Sequence, residues 1–346
     1  MKILITGAAG FIGSKLASLL ATRGDEVVGI DCINDYYDIR LKLGRLAQCG
    51  IVSAYGADMP YGEVIQSDRF PNYRFLRMDI SKEDTMSKLF KAERFDKVVN
   101  LAAQAGVRYS ITHPESYVES NLIGFFNILE CCRYHGVKHL VFASSSSVYG
   151  LNEKIPYAEE DKADMPVSLY AASKKSNELM AHAYSKLYGF STVGLRYFTV
   201  YGPWGRPDMA PMLFAKAISK GEPIKVFNNG DMRRDFTYID DIVEGTIKVL
   251  DKDLVTEDCI NHVPFKVYNI GCGHPMRLMD FISEIELALG KEARKEFLPM
   301  QPGDVYQTYA DTSKLEAEIG YRPSVSLHRG ISEFIAWYQS DNNPLK

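Results

Sequence analysis

The sequence predicts an α/β fold with a doubly wound parallel sheet and a smaller C-terminal α/β lobe. Short apolar runs alternate with helical patterns, which is typical of βαβ units on a parallel sheet. A glycine-rich turn, GAAGFIG, joins the first apolar run to the first helical pattern. The chain has 346 residues, more than one small core usually holds, so we expect two lobes.

Each predicted strand is a short run rich in Val, Ile, Leu or Phe. The strands are 2–6, 26–31, 73–78, 97–100, 139–143 and 191–196. The predicted helices between them carry apolar residues three and four positions apart, so each has one face to bury. These helices are 13–22, 82–91, 114–134 and 169–188.

The pattern loosens after residue 196 into YFTVYGPWGRPDMA, and a helix follows near 211–220. The segment DFTYIDDIVEGTIKVL is expected to rejoin the first lobe, while LMDFISEIELALG and LEAEIG predict small C-terminal helices. We therefore assign 1–195 with 236–275 to a first domain and 196–235 with 276–346 to a second. The stretch 50–72 is long for a strand-to-helix connection. It is either a flap over a ligand or, as loop lengths favour, a surface insertion.

Composition excludes several classes of function. Hydrophobic residues make up 46% and charged residues 24%, as in ordinary globular proteins. The net charge of −4 provides no basic field for nucleic acid. The apolar runs are too short to span a membrane, and we expect no signal peptide because the first apolar stretch is itself a strand. Six cysteines without zinc-ligand spacing predict free thiols in a reducing cytoplasm and no metal site.

Gly7, Gly10 and Gly13 form a dinucleotide-binding turn between the first strand and the first helix. Glycine allows a tight turn and lets a pyrophosphate approach the helix N-terminus, where unpaired N–H groups favour anions. Asp31 ends the second strand, where a carboxylate accepts hydrogen bonds from ribose hydroxyls and repels a 2′-phosphate. NAD is therefore favoured over NADP. Asp79 follows the third strand and either meets the adenine amino group or caps the next helix.

Tyr170 and Lys174 are four residues apart in a predicted helix and therefore share one face of it. A lysine ammonium beside a phenol favours the phenolate, so we predict that Lys174 lowers the pKa of Tyr170 and makes it a base near neutral pH. The serines from Ser144 to Ser147 follow a strand, and one hydroxyl near Tyr170 can hydrogen-bond a substrate oxygen. A base beside a nicotinamide indicates hydride chemistry at an alcohol carbon. Alone, the serines would be typical of a loop and the tyrosine of a core.

Motifs along nearly the whole chain match one family: TGAAGFIG, LAAQAGVRYS, SSSSVYG, YAASK, RYFTVYGP, RRDFTYIDD and NIGCG. With them the sequence resembles the extended short-chain dehydrogenase/reductase family of nucleotide-sugar epimerases. INDYYDIRLKLGRL and GPWGRPDMA resemble its UDP-glucuronate 4-epimerase branch. The resemblance implies a Rossmann-type first domain that holds NAD tightly and a second domain that binds the nucleotide sugar. It also implies epimerisation at C4 of a UDP-hexuronic acid, UDP-glucuronate to UDP-galacturonate, through a transient 4-keto sugar.

The resemblance implies a role for each catalytic residue. Tyr170 takes the proton from the sugar 4-hydroxyl while the C4 hydride goes to NAD, and Lys174 holds the nicotinamide ribose. Ser145 stands at the family's catalytic Ser/Thr position, and Ser146 beside it is also assigned to the catalytic set. Asn121 resembles the asparagine that buttresses the active-site strand. Further cofactor-binding positions are Phe11, Ile12, Asn34, Ile80, Leu101, Ala102, Ala103, Asn121, Ser144, Tyr197 and Val200.

The resemblance also implies residues for the substrate. Arg206 and Arg234 lie in segments that grip the nucleotide diphosphate in this family, with Arg233 as the rival of Arg234. Asp304 resembles the acid that accepts the uridine ribose hydroxyls. Arg108 is either near the sugar carboxylate or diphosphate or part of an ion pair that stabilises the fold. Further substrate-binding positions are Ser145, Ser146, Tyr170, Thr199 and Met209.

Dehydratases of the family carry Asp and Glu where this chain has Ser146 and Ser147, and decarboxylases usually carry Glu where it has Ser147. Dehydration and decarboxylation therefore lose support. A 4-keto uronate is nevertheless prone to lose carbon dioxide. The hydroxyls of Ser145, Ser146 and Thr199 are our candidates for holding the carboxylate out of alignment with the carbonyl π system.

Several alternatives stay open. One is a 4-epimerase of neutral or N-acetylated UDP-hexoses, the second is a net NAD-dependent sugar-nucleotide oxidoreductase, and the third is a Rossmann-fold protein that binds its ligand without catalysis. The helices 114–134 and 169–188 resemble those of a four-helix dimer bundle in this family. Burial inside the monomer would also explain the spacing of Leu122, Phe125, Phe126 and Leu129. We expect a homodimer that contacts neither nucleic acid nor membrane and serves polysaccharide precursor supply.

Overall fold

The computed structural model describes residues 1–300 and 305–346. Its strands are mostly buried apolar runs, because parallel strands with helices on both faces have no solvent-facing side. The strands are β1 Lys2–Thr6, β2 Glu26–Asp31, β3 Val64–Gln66, β4 Tyr73–Arg77, β5 Lys97–Asn100, β6 His139–Ser145, β7 Ser191–Tyr197, β8 Thr199–Tyr201, β9 Ile224–Val226, β10 Arg233–Arg234, β11 Phe236–Tyr238, β12 Phe265–Ile270, β13 Met276–Arg277 and β14 Lys295–Phe297.

The helices lie between these strands and after them. They are α1 Phe11–Arg23, α2 Ile39–Gln48, α3 Glu83–Glu93, α4 Tyr109–Thr112, α5 Pro114–Tyr117, α6 Gly124–Tyr134, α7 Leu169–Tyr188, α8 Ala210–Lys220, α9 Ile239–Asp251, α10 Leu278–Leu289, α11 Ser313–Ile319 and α12 Leu327–Gln339. In the part of the chain that the structure describes, none of them is long and apolar enough to cross a membrane.

The main sheet has eight strands in the order β12–β7–β6–β5–β1–β2–β4–β3. All neighbours are parallel except β3 and β4. The order reverses between β1 and β5, so the connections that leave their carboxyl ends run to opposite faces and open a crevice there. The predicted Rossmann-type, doubly wound α/β sheet is confirmed.

Two apolar clusters cover the two faces of the sheet. Leu16 of α1 and Ile242 of α9 belong to the first cluster, and these two helices contact each other. Phe90 of α3 and Phe125 of α6 belong to the second. The segment DFTYIDDIVEGTIKVL therefore returns to the first lobe as predicted, since α9 packs against α1.

The insertion 51–72 extends the sheet. Its strand β3 pairs antiparallel with β4, so that Ile65 lies opposite Phe75. Arg77 fastens it, because its guanidinium donates hydrogen bonds to the carbonyls of Met59 at 2.9 Å and Cys32 at 3.2 Å. This arrangement matches the surface insertion and not the flap.

The predicted helix 114–134 is confirmed as one continuous helical run. Its middle is a π-helical segment at Val118–Ile123, which joins α5 to α6. A π-helical turn contains one residue more than an α-helical turn. The side chains that follow it therefore point in a different direction from those of a regular α-helix. The apolar residues still recur at helical spacing, which is why the sequence suggested one helix. As a result Phe125 and Leu129 are buried, whereas Phe126 is 43% exposed.

The described part of the second lobe contains short parallel and antiparallel strand pairs and the helices α8, α10, α11 and α12. Strand β9 pairs with β14, and β10 pairs with β13. Helix α10 contacts both α8 and α12. Among the described residues, no two cysteines form a disulfide bond. Within residues 1–300 and 305–346, no group of three or more His, Cys, Asp or Glu side chains could hold a metal ion.

Candidate active site

The glycine-rich turn lies where the strand order reverses. Gly7 has φ of +73°, and a Cβ added to it would come within 2.8 Å of the Ala102 amide nitrogen. A Cβ on Gly13 would come within 2.2 Å of the Gly7 carbonyl oxygen. Gly10 is the N-cap of α1 and places no side chain over the helix N-terminus. The residues present therefore fit a dinucleotide, because backbone N–H groups and the helix dipole are open to a pyrophosphate.

Asp31 is held at the end of β2. Its carboxylate accepts hydrogen bonds from the Ala9 amide at 3.2 Å and the Ile33 amide at 2.9 Å. Lys42 lies 3.9 Å from this carboxylate and donates to the side-chain oxygen of Asn34 at 2.6 Å. These contacts fix the carboxylate at the predicted ribose position next to the glycine turn.

Asp79 lies in the turn before α3, where its side chain accepts a hydrogen bond from the Ser81 amide at 2.8 Å. It does not cap the helix, because the N-cap of α3 is Lys82. It lines the large cavity that the glycine turn enters. Its contact with adenine stays a prediction.

A cavity of about 1430 Å³ runs along the carboxyl ends of the strands. Single-ligand sites usually have about 300–1,000 Å³, so this cavity has room for a dinucleotide and a second nucleotide. It is lined by these residues predicted from the sequence: Gly7, Gly10, Phe11, Ile12, Gly13, Asp31, Asn34, Asp79, Ile80, Leu101, Ala102, Ala103, Arg108, Ser144, Ser145, Ser146, Tyr170, Lys174, Tyr197, Thr199, Val200, Arg206, Met209 and Arg234.

Two predicted residues are not among them. Asp304 lies outside the described residues. Asn121 is buried behind the cavity, in the π-helical segment, where it donates to the Gln104 carbonyl at 3.0 Å and to Ser173 Oγ at 2.9 Å. Ser173 in turn donates to the Tyr170 carbonyl at 2.8 Å. Asn121 thus joins the loop after β5 to α7. The prediction that it binds the cofactor disagrees with this geometry, because its side chain is buried behind the cavity and bonded to Gln104 and Ser173.

Tyr170 and Lys174 occupy the first turns of α7, and the helix is capped by Ser168, whose Oγ accepts from the Ala171 amide at 3.1 Å. Lys174 is 3% exposed, and its ammonium donates to the Ala143 carbonyl at 2.8 Å. Burial lowers the pKa of Lys174 to about 8. Lys174 therefore loses its proton more readily than an exposed lysine, but it is still mostly charged at neutral pH.

The predicted lowering of the Tyr170 pKa by Lys174 is wrong for the protein alone. Burial raises the pKa of Tyr170, and the hydrogen bond from Ser145 and the charge of Arg206 oppose this without reversing it. Lys174 does not stabilise the phenolate here because its ammonium is bonded to the Ala143 carbonyl. The closest aromatic neighbour is Tyr117, with ring centroids 6.1 Å apart.

A buried ion pair supports these catalytic elements from behind. Glu178 of α7 binds Arg196 of β7 through two hydrogen bonds of 2.8 and 2.9 Å. Ser144, at the end of β6, donates to the same carboxylate at 2.7 Å. Arg196 also donates to Tyr149 Oη at 2.9 Å. The network ties the strand that carries Ser145 to the helix that carries Tyr170.

The predicted arginines lie in different surroundings. Arg234 lines the large cavity and donates to the Tyr306 carbonyl at 3.0 Å. Arg233 lines a separate cavity of about 180 Å³, so the choice of Arg234 over Arg233 agrees with the geometry. Arg108 lines the large cavity with its guanidinium 5.4 Å from the centroid of the Phe227 ring. Arg206 lines the same cavity as Tyr170 and donates to Asp208 at 3.1 Å.

Several cavity residues were missed by sequence reasoning. Tyr36, Lys42, Gln104, Tyr109 and Asp208 all line it. Three of them lie inside the segments INDYYDIRLKLGRL and GPWGRPDMA, which carry the resemblance to one branch. That specificity was the signal that could have identified them.

The chain from residue 3 to 271 matches the family model described as the NAD dependent epimerase/dehydratase family. The chain belongs to this family. Among curated relatives of the epimerase, "Protein CapI" of Staphylococcus aureus is 48% identical and covers 98% of both chains. The "Probable UDP-glucuronate 4-epimerase" of Rhizobium meliloti is 44% identical over 99% of this chain and 98% of its own.

A solved structure supports the same family assignment. The UDP-glucuronic acid 4-epimerase of Bacillus cereus, crystallised with UDP-glucuronic acid and NAD, superposes on this epimerase-family chain with a TM-score of 0.84. The two are 36% identical, and the alignment covers 97% of this chain and 98% of the other. The extended short-chain dehydrogenase/reductase resemblance is confirmed.

Proposed function

We propose that the protein is an isomerase that interconverts UDP-glucuronate and UDP-galacturonate at C4 with bound NAD. One observation carries the proposal: the glycine turn, Asp31 and the Ser145–Tyr170–Lys174 set line one continuous cavity that has room for two nucleotides. The Rhizobium relative and the Bacillus structure support the same reaction and the same substrate.

The chemistry divides between cofactor and protein. Bound nicotinamide supplies the acceptor for the C4 hydride and returns it. Tyr170 Oη accepts the proton of the sugar 4-hydroxyl and later gives it back, so the net redox change is zero. Ser145 donates a hydrogen bond that offsets part of the burial penalty on the Tyr170 phenolate. The sugar turns between the two transfers, so the hydride returns to the opposite face.

An epimerase for a uronate must also protect its intermediate. A 4-keto uronate is a β-keto acid, and it loses carbon dioxide when the bond to the carboxylate aligns with the carbonyl π system. We assign the restraint of the carboxylate to Ser145, Ser146 and Thr199, whose side chains line the cavity near Tyr170.

This assignment predicts the products of two variants. Ser146→Ala and Thr199→Val should each raise the ratio of UDP-pentose to epimerised product by about tenfold, as expected for loss of one hydrogen bond to a charged group. Chromatography of the nucleotide sugars measures the ratio, with Thr22→Val, an exposed hydroxyl on α1, as control. Unchanged ratios in both variants would refute the assignment.

A panel of UDP-sugars tests the function itself. Purified protein without added cofactor should interconvert UDP-glucuronate and UDP-galacturonate faster than UDP-glucose or UDP-N-acetylhexosamines. Faster conversion of a neutral UDP-sugar would show that the protein is an epimerase of neutral sugars and not of UDP-glucuronate. Stoichiometric growth of reduced-nicotinamide absorbance would identify a net oxidoreductase instead, and binding without turnover of any sugar would leave only a binding protein.

We also propose a homodimer through α6 and α7. Exposed apolar side chains on these helices support it: Phe126 is 43%, Leu179 is 62% and Leu187 is 69% exposed. Light scattering at micromolar concentration should give twice 38.9 kDa. A double variant of Phe126→Glu and Leu179→Glu should give the monomer mass, whereas Leu287→Glu on α10 should not. A monomeric wild-type protein contradicts the proposal.

The remaining proposals concern organisation and setting. We propose that 1–195 with 236–275 binds NAD and that 196–235 with 276–346 binds the nucleotide sugar, which the pairing of β9 with β14 and of β10 with β13 supports. The lack of disulfide bonds among the described residues supports a location in a reducing cytoplasm. The product, a UDP-hexuronic acid, would serve as a precursor for polysaccharide synthesis.

A further inference from the structure

Two loops from opposite lobes meet at the wall of the cavity. The first follows β2 and carries Tyr36, and the second follows β8 and carries Arg206 and Asp208. Tyr36 Oη donates a hydrogen bond to Asp208 Oδ2 at 3.0 Å. Asp208 accepts two more from Arg206, at 3.1 and 2.5 Å. All three side chains line the cavity.

The position of Tyr36 is tightly determined. A Cβ on Gly106, which has φ of +103°, would come within 2.5 Å of the Tyr36 hydroxyl oxygen. The ring packs edge-on against Tyr109, with centroids 4.7 Å apart, and the guanidinium of Arg206 lies 5.9 Å from its centroid. The loop after β2 thus begins at Asp31, at the predicted ribose position, and places the Tyr36 ring beside Arg206.

A buried arginine joins the same two loops at their base. Arg45 is 1% exposed and donates to the Ala9 carbonyl at 3.2 Å and to Tyr37 Oη at 2.6 Å on the cofactor side. On the other side it donates to the Trp204 carbonyl at 3.0 and 2.8 Å. A Cβ on Gly44 would come within 2.7 Å of the Trp204 ring, so helix α2 and the second loop are in close contact. The base is therefore fixed, and the Tyr36–Asp208 bond is the part that can open.

The protonation states of Tyr36 and Asp208 keep their hydrogen bond in place at physiological pH. Burial and the nearby Asp208 carboxylate raise the pKa of Tyr36 to about 12, so the phenol stays a donor. Burial acts to raise the pKa of Asp208, but Arg206 and Tyr36 more than offset it, so that pKa lies below its ordinary value and the carboxylate stays ionised. A neutral donor on an ionised acceptor is a strong hydrogen bond.

We propose that the Tyr36–Asp208 bond, which we call the latch, keeps the dinucleotide in its site and holds Arg206 against the reaction centre. A dinucleotide that extends from the glycine turn and Asp31 to Tyr170 lies along the wall that these loops form. Release then requires the two loops to separate, and the latch resists that separation. Tyr36 and Asp208 are positioning residues in this view, and the link to turnover rests on the proposed epimerisation.

Exchange of bound NAD tests the latch without any sugar. Protein carrying labelled NAD is mixed with excess unlabelled NAD, and the loss of label is followed. Tyr36→Phe and Asp208→Asn should each exchange about tenfold faster than wild type. Tyr36→Phe removes the donor of this bond, and Asp208→Asn leaves only a neutral, weaker acceptor. The double variant should therefore exchange about as fast as the faster of the two single variants. Tyr55→Phe, an exposed tyrosine on the insertion 51–72, should match wild type.

A second measurement separates the latch from a general loss of structure and from the proposed function. Thermal unfolding of Tyr36→Phe should match wild type, since only one oxygen is removed. With UDP-glucuronate, the variants should release reduced nicotinamide and one equivalent of 4-keto sugar for each cofactor lost. Wild-type exchange rates in Tyr36→Phe and Asp208→Asn would overturn the latch. Failure of the wild-type protein to convert any UDP-sugar would overturn the proposed function. The latch would still be tested, because NAD exchange is measured without sugar.

Discussion

Replacing Tyr170 by phenylalanine should lower kcat for epimerisation by about 10³-fold, the usual contribution of a positioned general base. The substitution removes only the oxygen that accepts the C4 hydroxyl proton. The aromatic ring and its edge-on contact with Tyr117 remain, with centroids 6.1 Å apart in the wild-type protein. Initial rates at saturating UDP-glucuronate measure the effect.

The control is binding. Tyr170→Phe should retain NAD through purification and bind the UDP-sugar nearly as well as wild type, because neither site loses a charge. Tyr109→Phe, a second tyrosine in the same cavity, provides a matched removal of a phenolic oxygen and should cost far less. A Tyr170→Phe variant with a tenth or more of the wild-type kcat would rule out this residue as the base.

The raised pKa of Tyr170 affects how this residue can act as a base. Burial favours the neutral phenol in the protein alone. Ionisation of the Tyr170 phenol therefore requires positively charged groups in the site. Arg206 is one such group. Lys174 is another once its ammonium turns from the Ala143 carbonyl, and its pKa of about 8 keeps it mostly charged at neutral pH.

Removing Glu178 should have the largest effect on stability. Glu178→Ala leaves the Arg196 guanidinium buried without its carboxylate, and both side chains are 3% exposed in the wild type. Loss of one partner of a buried ion pair costs about 4 kcal/mol in the free energy of unfolding. Denaturant titration measures it. Glu244→Ala, which breaks the exposed pair with Lys248 on α9, should cost under about 0.5 kcal/mol.

The same pair predicts a pH dependence. Burial acts to raise the pKa of Glu178, but the hydrogen bonds and charge of Arg196 bring it below its ordinary value. The folded state therefore binds the proton more weakly than the unfolded state. This stabilisation is full above about pH 4.3, the ordinary value for Glu, and is lost as the pH falls through the lower folded value. An equal loss of stability in Glu178→Ala and Glu244→Ala would contradict the account.

The sheet could be predicted from the sequence because buried parallel strands are continuous apolar runs. Strands β1, β2 and β5 and helix α7 have the predicted bounds. Helix α2 was missed because its buried face includes Lys42 and Arg45, whose charges interrupt the apolar pattern. These cations are buried because carbonyl groups of other segments accept their hydrogen bonds, and no local pattern reveals such partners.

The candidate site followed from the sequence to the extent that its residues lie in recognisable motifs. The Glu178–Arg196 pair was not predicted, because it joins α7 to β7 across the fold. The predicted direction of the Tyr170 pKa shift was wrong. Helical spacing reveals that Lys174 is near Tyr170, but it does not reveal that Lys174 donates a hydrogen bond to the Ala143 carbonyl. Burial and competing acceptors are properties of the folded chain.

The strand β3 determines where the sheet stops growing. Without it, β4 would present a row of unpaired backbone groups to any other extended chain, which is the usual start of edge-to-edge aggregation. A three-residue strand, pinned by Arg77 to the loops beside it, offers a much shorter template. The short strand β3 thus leaves fewer unpaired backbone groups at this edge than β4 would leave if it were exposed.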